Sequence, residues 1–266
     1  MITDVSRSGA RAFRRLRTVA LPLALCVGAV GAREAGAQVR PALPSPQSLM
    51  ARHDSLIGGR AILEQHQSLR MVGTLTLSAA GITAPLEILK VRPNKYLFRT
   101  SLGPMGEILS GFDGATAWAI QPGQGPIILE GAQAEQVALQ ADFFGDLHDL
   151  SKFSHVETLE IAEFEGRRAY TIRMSRADGA VVHGYFDVET GLSAGVSHSL
   201  ETPMGKQEMV TIYSDYTNFD GLLVATRVVQ RNPQFEVVLT ISAVEFDVLD
   251  PAAVALPESV KALIKP

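Results

Sequence analysis

The chain has 266 residues, 24 Lys+Arg against 28 Asp+Glu for a formal charge of −4, and a single cysteine. One cysteine closes no disulfide within the chain, so the fold must rest on a buried core, which this length allows. The acidic balance, with no basic stripe, excludes nucleic acid as a partner, because phosphate binding draws its affinity from clustered Lys and Arg.

The first 37 residues carry Arg7, Arg11, Arg14, Arg15 and Arg17, then an apolar run from Thr18 to Ala32, then Ala35-Gly36-Ala37. A positive start, an apolar stretch short of the roughly 20 residues that span a bilayer, and a small-residue A-x-A exit describe a cleavable secretory signal. The expectation is cleavage before Gln38, a periplasmic location and one domain over residues 38–266. Two other readings of the segment are an uncleaved membrane anchor and, from Arg14-Arg15, a twin-arginine signal. Leu23-Ala24-Leu25-Cys26 resembles a lipoprotein box, but leucine stands where a small residue belongs, which argues against lipid anchoring through Cys26. After cleavage 18 basic residues face 26 acidic ones, a net charge of −8, and no cysteine remains.

A Pro-rich lead (Pro41, Pro44, Pro46) comes next, followed by Gln47 to His66 with apolar residues at Leu49, Met50, Leu56, Ile57, Ile62 and Leu63. That spacing is helical, and Gly58-Gly59 divides it into two pieces. From Leu69 the pattern changes to short β-rich runs separated by turn residues, predicting strands over 69–78, 82–92, 95–102, 106–112, 115–121 and 127–130. Ala132 to Leu150 interrupts them. Within it Phe143, Leu147 and Leu150 stand at i, i+4 and i+7 with Phe144 beside them, which predicts a helix. Strand signals resume over 155–163, 168–176, 180–188, 192–200, 207–216, 222–231 and 235–247, and Asp250 to Ile264 reads as short helical turns. Successive strands without alternating βα units predict a mainly β fold with helices, a single curved antiparallel sheet.

Few residues look catalytic. Gly191-Leu192-Ser193-Ala194-Gly195 is a literal G-x-S-x-G, a motif that in hydrolases sits between strand and helix and precedes an acid and a histidine. Here a strand pattern follows it, and the only histidine after Ser193 is His198. His53, His66, His148, His155, His183 and His198 show no metal-ligand spacing, and Asp146, His148 and Asp149 point apart on a helix. Neither a metal nor a cofactor is expected. Gly123-Gln-Gly125 between two prolines is a turn rather than a phosphate loop. Lys90, Arg92, Lys95 and Arg99 alternate along strands as the wet face of a sheet does, or as a patch for lipid head groups or an acidic partner. Apolar side chains supply a well-populated sheet face, including Phe98, Met105, Ile108, Trp118, Phe186 and Met204, with Met105 and Met204 at expected hairpin tips.

Tyr185-Phe186-Asp187-Val-Glu-Thr190-Gly191-Leu192 and Tyr213-Ser-Asp215-Tyr216-Thr-Asn-Phe-Asp-Gly221-Leu-Leu resemble the LolA/LolB-like group of periplasmic outer-membrane lipoprotein-sorting proteins. Arg92-Pro93-Asn94-Lys95 and Gly111-Phe112-Asp113-Gly114-Ala-Thr-Ala-Trp118 look like strand-turn-strand units of the same family, so the likeness covers about 50–250. The chain departs from it after Gly221, where relatives often carry an aromatic-Pro pair and this one has Val224-Ala225. The resemblance implies a half-open β-barrel of about eleven strands with a helical lid at 132–150 over an apolar cavity. It implies a non-enzymatic, monomeric carrier or receptor for acyl chains of lipoproteins or lipids, moving them toward the outer membrane with inner- or outer-membrane transport partners. The cavity candidates are Phe98, Met105, Ile108, Trp118, Phe186 and Met204 from the sheet, and Phe143, Phe144, Leu147 and Leu150 from the lid. Two rival readings are an envelope interaction or sensor module on the same fold, its cavity filled by its own side chains, and a serine hydrolase using Ser193.

Overall fold

The computed structural model describes residues 42–144, 150–202 and 205–264. The chain enters through helices α1 (Pro46–Leu56) and α2 (Gly59–Glu64). Ser45 caps α1 by accepting the Ser48 N–H at 3.2 Å, and Pro46 fills the first turn, where no N–H is required. The break between the helices falls at Gly58, whose φ of +98° and approach to the Gly221 carbonyl leave no room for a Cβ.

Six strands follow as a meander: β1 (Ser68–Leu77), β2 (Ile82–Val91), β3 (Lys95–Ser101), β4 (Glu107–Phe112), β5 (Ala117–Gln121) and β6 (Gly125–Ile128). After helix α3 (Gly131–Ala141) come β7 (His155–Phe164), β8 (Arg167–Ser175), β9 (Val181–Asp187), β10 (Ser193–Thr202), β11 (Gly205–Phe219), β12 (Leu222–Arg231) and β13 (Glu236–Phe246). All belong to one antiparallel sheet in the order β6-β5-β4-β3-β2-β1-β13-β12-β11-β10-β9-β8-β7. The chain thus starts at the centre, walks out to one edge, crosses to the opposite edge and walks back until β13 pairs with β1. Only the β6–β7 connection must traverse the sheet, and that is why a cover lies there.

Strand alternation sorts side chains onto two faces. On the inner face Leu69 stands opposite Lys90 and Phe246, and Met71 opposite Ile88 and Val244. Around them Leu63, Leu75, Leu86, Phe143, Leu222 and Ile241 form the central core. α3 sets Val137 and Ala141 on Tyr96 and Ala117, while α1 sets Leu49 and Met50 on Ile172, Met174 and Phe186. On the outer face Arg70 bridges both neighbouring strands, donating to Glu87 at 2.8 Å and Glu245 at 2.6 Å. Part of that face is apolar too: Leu89, Val91, Leu97 and Trp118 are buried beneath Val254 and Val260 of the C-terminal segment, which ends in helix α4 (Glu258–Lys261). Beyond β13, Asp247 turns back in the left-handed region and its carboxylate accepts the N–H groups of Gln67 and Ser68 at 2.6 and 3.1 Å. This clasp, paired also with His66 Nδ1 at 2.8 Å, fastens the end of β13 to the start of β1.

The sheet is open, as expected, with the thirteen strands of the run pattern, somewhat more than the roughly eleven the resemblance implies, and it is not closed into a barrel. The crossing begins with helix α3, which ends before Phe143, and Phe143-Phe144 form a turn, while residues 145–149 of the expected Phe143 to Leu150 helix lie outside the described residues. Asp142 stops α3 by leaving helical ψ and taking the Phe144 N–H onto its own carboxylate at 3.1 Å, which diverts the chain into a turn.

Candidate binding cleft

A cleft of about 240 Å³ lies between the inner face of β1, β2, β11 and β12 and a cover made of α1, α2 and the Phe143-Phe144 turn. Its walls are apolar: Leu69 and Met71 from the sheet, Leu222 and Val224 from β12, Ile57 and Leu63 from the helices, and both phenylalanines. Phe143 is 3 % exposed and anchors the turn in the core, its ring meeting that of Phe144 edge-on at 5.7 Å. Phe144 is half-buried, and the guanidinium groups of Arg60 and Arg92 stand 4.6 and 5.2 Å from its ring centre.

The polar groups of the cleft stand on two sides. On one, Lys90 Nζ donates to the Asp142 carbonyl at 3.1 Å. Burial pushes the Asp142 carboxyl up, but the Lys152 ammonium at 2.9 Å and the Phe144 N–H outweigh it and hold the group below the usual carboxylate range. On the other side His53 Nδ1 accepts the Ser193 N–H at 3.2 Å, and the Tyr216 hydroxyl donates to the Ser193 carbonyl at 2.8 Å. Burial raises the Tyr216 phenol above its ordinary value. The Ser193 hydroxyl is buried without a hydrogen-bond partner among the described residues, a polar atom that a bound molecule could satisfy.

Of the ten sequence-derived candidates, Phe143 and Phe144 line this cleft. Phe98 lies on the inner face between the central core and α3, and Ile108 is half-buried opposite Thr100. Phe186 is buried beneath α1 in an edge contact with His53, and Leu150 packs on the same cluster. Met105 is 54 % exposed on a surface turn. Trp118 is 1 % exposed on the outer face, so its burial belongs to the C-terminal segment and not to the cleft. Leu147 and Met204 lie outside the described residues, as do Asp146, His148 and Asp149.

Lys90 corrects the reading of its run as a wet face, since it points inward opposite Leu69, while Arg99 lies outside with Glu87. Sequence reasoning missed His53, which α1 brings beside Ser193 from far upstream. The pair does not form the hydrogen bond of a nucleophile and its base, because His53 Nδ1 takes the backbone N–H of Ser193. The surrounding backbone runs from a turn into strand β10 and lacks the strand-to-helix elbow of a hydrolase. Among the described residues no group of three His, Cys, Asp or Glu could hold a metal ion. No described helix is long and apolar enough to cross a membrane.

An open antiparallel sheet with helices and a crossing turn laid over its apolar inner face defines the LolA-like class of fold. A crystal structure of a LolA superfamily protein from Nitrosomonas europaea matches with a TM-score of 0.55 at 14 % identity, over 80 % of this chain and 99 % of that one. A DUF1329 family protein from Desulfovibrio piger matches with a TM-score of 0.55 at 10 % identity, over 79 % of this chain and 96 % of that one. Likeness at such identities is likeness of fold. The sequence matches no protein-family model and no curated protein.

Proposed function

We propose that the protein is exported to the periplasm by the signal segment 1–37 and there carries an acyl chain of a lipid or lipoprotein in the cleft, toward the outer membrane. The observation that carries this reading is the cleft itself: largely apolar walls, bounded on one side by sheet and on the other by short helices and an aromatic turn, and left unfilled by the side chains of the described residues. An interaction module on the same fold predicts the filled alternative. Each methylene withdrawn from water is worth about 0.8 kcal/mol, so ten of them supply about 8 kcal/mol, the scale of a micromolar dissociation constant. Small-molecule clefts usually have about 300–1,000 Å³. At about 240 Å³ the cleft holds part of a long chain as it stands, and the remainder enters when Phe144 swings outward.

The test is to purify the protein from its native envelope, identify co-purifying lipid by mass spectrometry, and measure displacement of a fluorescent fatty acid. Phe144→Asp is expected to weaken that binding by about ten-fold or more, as a carboxylate cannot line an acyl chain without losing hydration. Repeated recovery without lipid, together with no fatty-acid binding, overturns the reading. N-terminal sequencing of the envelope form should begin at Gln38.

A further inference from the structure

Ser193 opens β10 and pairs with Phe186 of β9, whose ring lies inward beneath α1, so strand pairing turns the Ser193 side chain to the same inner face. There it lines the cleft beside His53, Tyr213 and Tyr216 and is 3 % exposed. Both backbone groups of Ser193 are occupied: the N–H donates to His53 Nδ1 at 3.2 Å and the carbonyl accepts the Tyr216 hydroxyl at 2.8 Å. Gly195 of the same G-x-S-x-G run leaves no room for a Cβ beside the Thr211 carbonyl, which lets β11, the strand that carries Tyr216, approach closely. Side chains from α1 and β11 thus fix residue 193, while its buried hydroxyl has no hydrogen-bond partner among the described residues. A buried O–H without an acceptor is destabilising, and an acceptor is what would relieve it. The Tyr216 O–H is already donated, and its spare lone pairs go unused at less cost than an orphaned donor does. Burial raises the Tyr216 phenol above its ordinary value, even with Arg167 nearby, so this end of the cleft disfavours negative charge. A neutral carbonyl oxygen meets both conditions, and the apolar walls at Leu69, Met71 and Leu222 suit the chain attached to it.

We propose that the Ser193 hydroxyl donates a hydrogen bond to the carbonyl oxygen of an acyl ester, so that the cleft recognises its ligand by the ester group while the tail lies along Leu69, Met71 and Leu222. This rests on the carrier reading and adds to it the group by which the chain is held. Ser193 is a binding residue in this role, and no bond of the ligand is made or broken.

Displacement of a fluorescent fatty acid from the purified protein by methyl decanoate, decyl methyl ether and decanoate tests the rule, since ester and ether differ only in the carbonyl oxygen. Methyl decanoate is expected to bind about ten-fold more tightly than the ether, the worth of one well-placed hydrogen bond. Ser193→Ala should weaken the ester about ten-fold and leave the ether within about two-fold, a result that also reports an intact cleft. Without ligand, Ser193→Ala should be at least as stable as the parent in urea, because it removes an orphaned donor. On the parent protein alone, the infrared carbonyl stretch of bound carbon-13-labelled ester should lie below its frequency in hexane, as a hydrogen-bonded carbonyl does. Equal affinity for ester and ether, Ser193→Ala weakening the two alike, or a stretch at the hexane frequency overturns the hydrogen bond and leaves the carrier reading standing. Decanoate bound more tightly than its ester, and weakened by Ser193→Ala, overturns the choice of a neutral ester. Binding of none of the three, with no binding of the fluorescent fatty acid, overturns both readings.

Discussion

Trp118 and Asp187 show what single residues contribute when they do not touch the cleft. Trp118 fills the outer face so closely that a Cβ on Gly111 would lie 2.5 Å from its ring. Trp118→Ala should therefore cost about 3–5 kcal/mol in urea unfolding. Fatty-acid affinity per folded molecule should stay unchanged, and a matching loss of affinity would return Trp118 to the binding wall. Asp187 is buried and accepts the N–H groups of Glu189 and Thr190 at 3.0 and 2.7 Å and the Thr190 hydroxyl at 3.0 Å. Burial pushes its carboxyl up, but these donors outweigh burial and hold it below the usual range. A folded-state pKa below the unfolded value of about 3.9 contributes stability above about pH 4 that is lost as pH falls through the folded value. Asp187→Asn should accordingly be less stable than the parent at pH 7 by about 1–3 kcal/mol, and the gap should narrow toward pH 3. A gap that stays constant across that range would show that the charge of Asp187 plays no part.

The elements around the cleft owe their placement to a few backbone contacts. β1 changes register at Gly73, where a Cβ would sit 1.8 Å from the Thr240 carbonyl oxygen, so no side chain fits without moving β13. Gly73→Ala is expected to cost about 2–4 kcal/mol by urea unfolding, and a cost under about 0.5 kcal/mol would mean the strands separate more easily than this contact implies. α2 is only six residues long, too short to be stable alone, and is held by Leu63 in the core and by the Leu223 N–H donating to the Ile57 carbonyl at 3.0 Å.

At the scale of the whole molecule, the sheet's order places its most distant pairing at its centre. β1 meets β13 with Leu69 opposite Phe246, so the middle of the sheet forms only when the chain has returned, while the two edges are β6 and β7. Local stability follows burial, so amide exchange should be slowest in β1, β2 and β13 and fastest in the edge strands β6 and β7. Asp247→Ala removes the clasp between β13 and β1 and should speed exchange at that centre before it affects the β8–β9 hairpin. Exchange that accelerates evenly everywhere would count against a clasp with a local role.

Much of the secondary structure was legible because it is a local property. Period-two alternation and turn residues mark all thirteen strand runs, Gly58-Gly59 marks the helix break, and the absence of strand signals after Ala132 marks the crossing. The cleft was legible only at Phe143 and Phe144, since they fall in that crossing. Which side of each strand faces inward was not legible, because the C-terminal segment makes part of the outer face apolar as well. Leu97 and Phe98 are adjacent and both buried or half-buried, yet they point to opposite faces. The same ambiguity put Trp118 among the cavity candidates and Lys90 on the wet face. Only the tertiary structure decided those positions, and it alone brought His53 to Ser193 and Arg60 to Arg92, because contacts between residues far apart in the chain follow from strand order and the path of the cover. What the sequence determined by itself is a run of two-faced strands with one apolar interruption. The closure of β13 on β1 decided which face became the lining of a cleft.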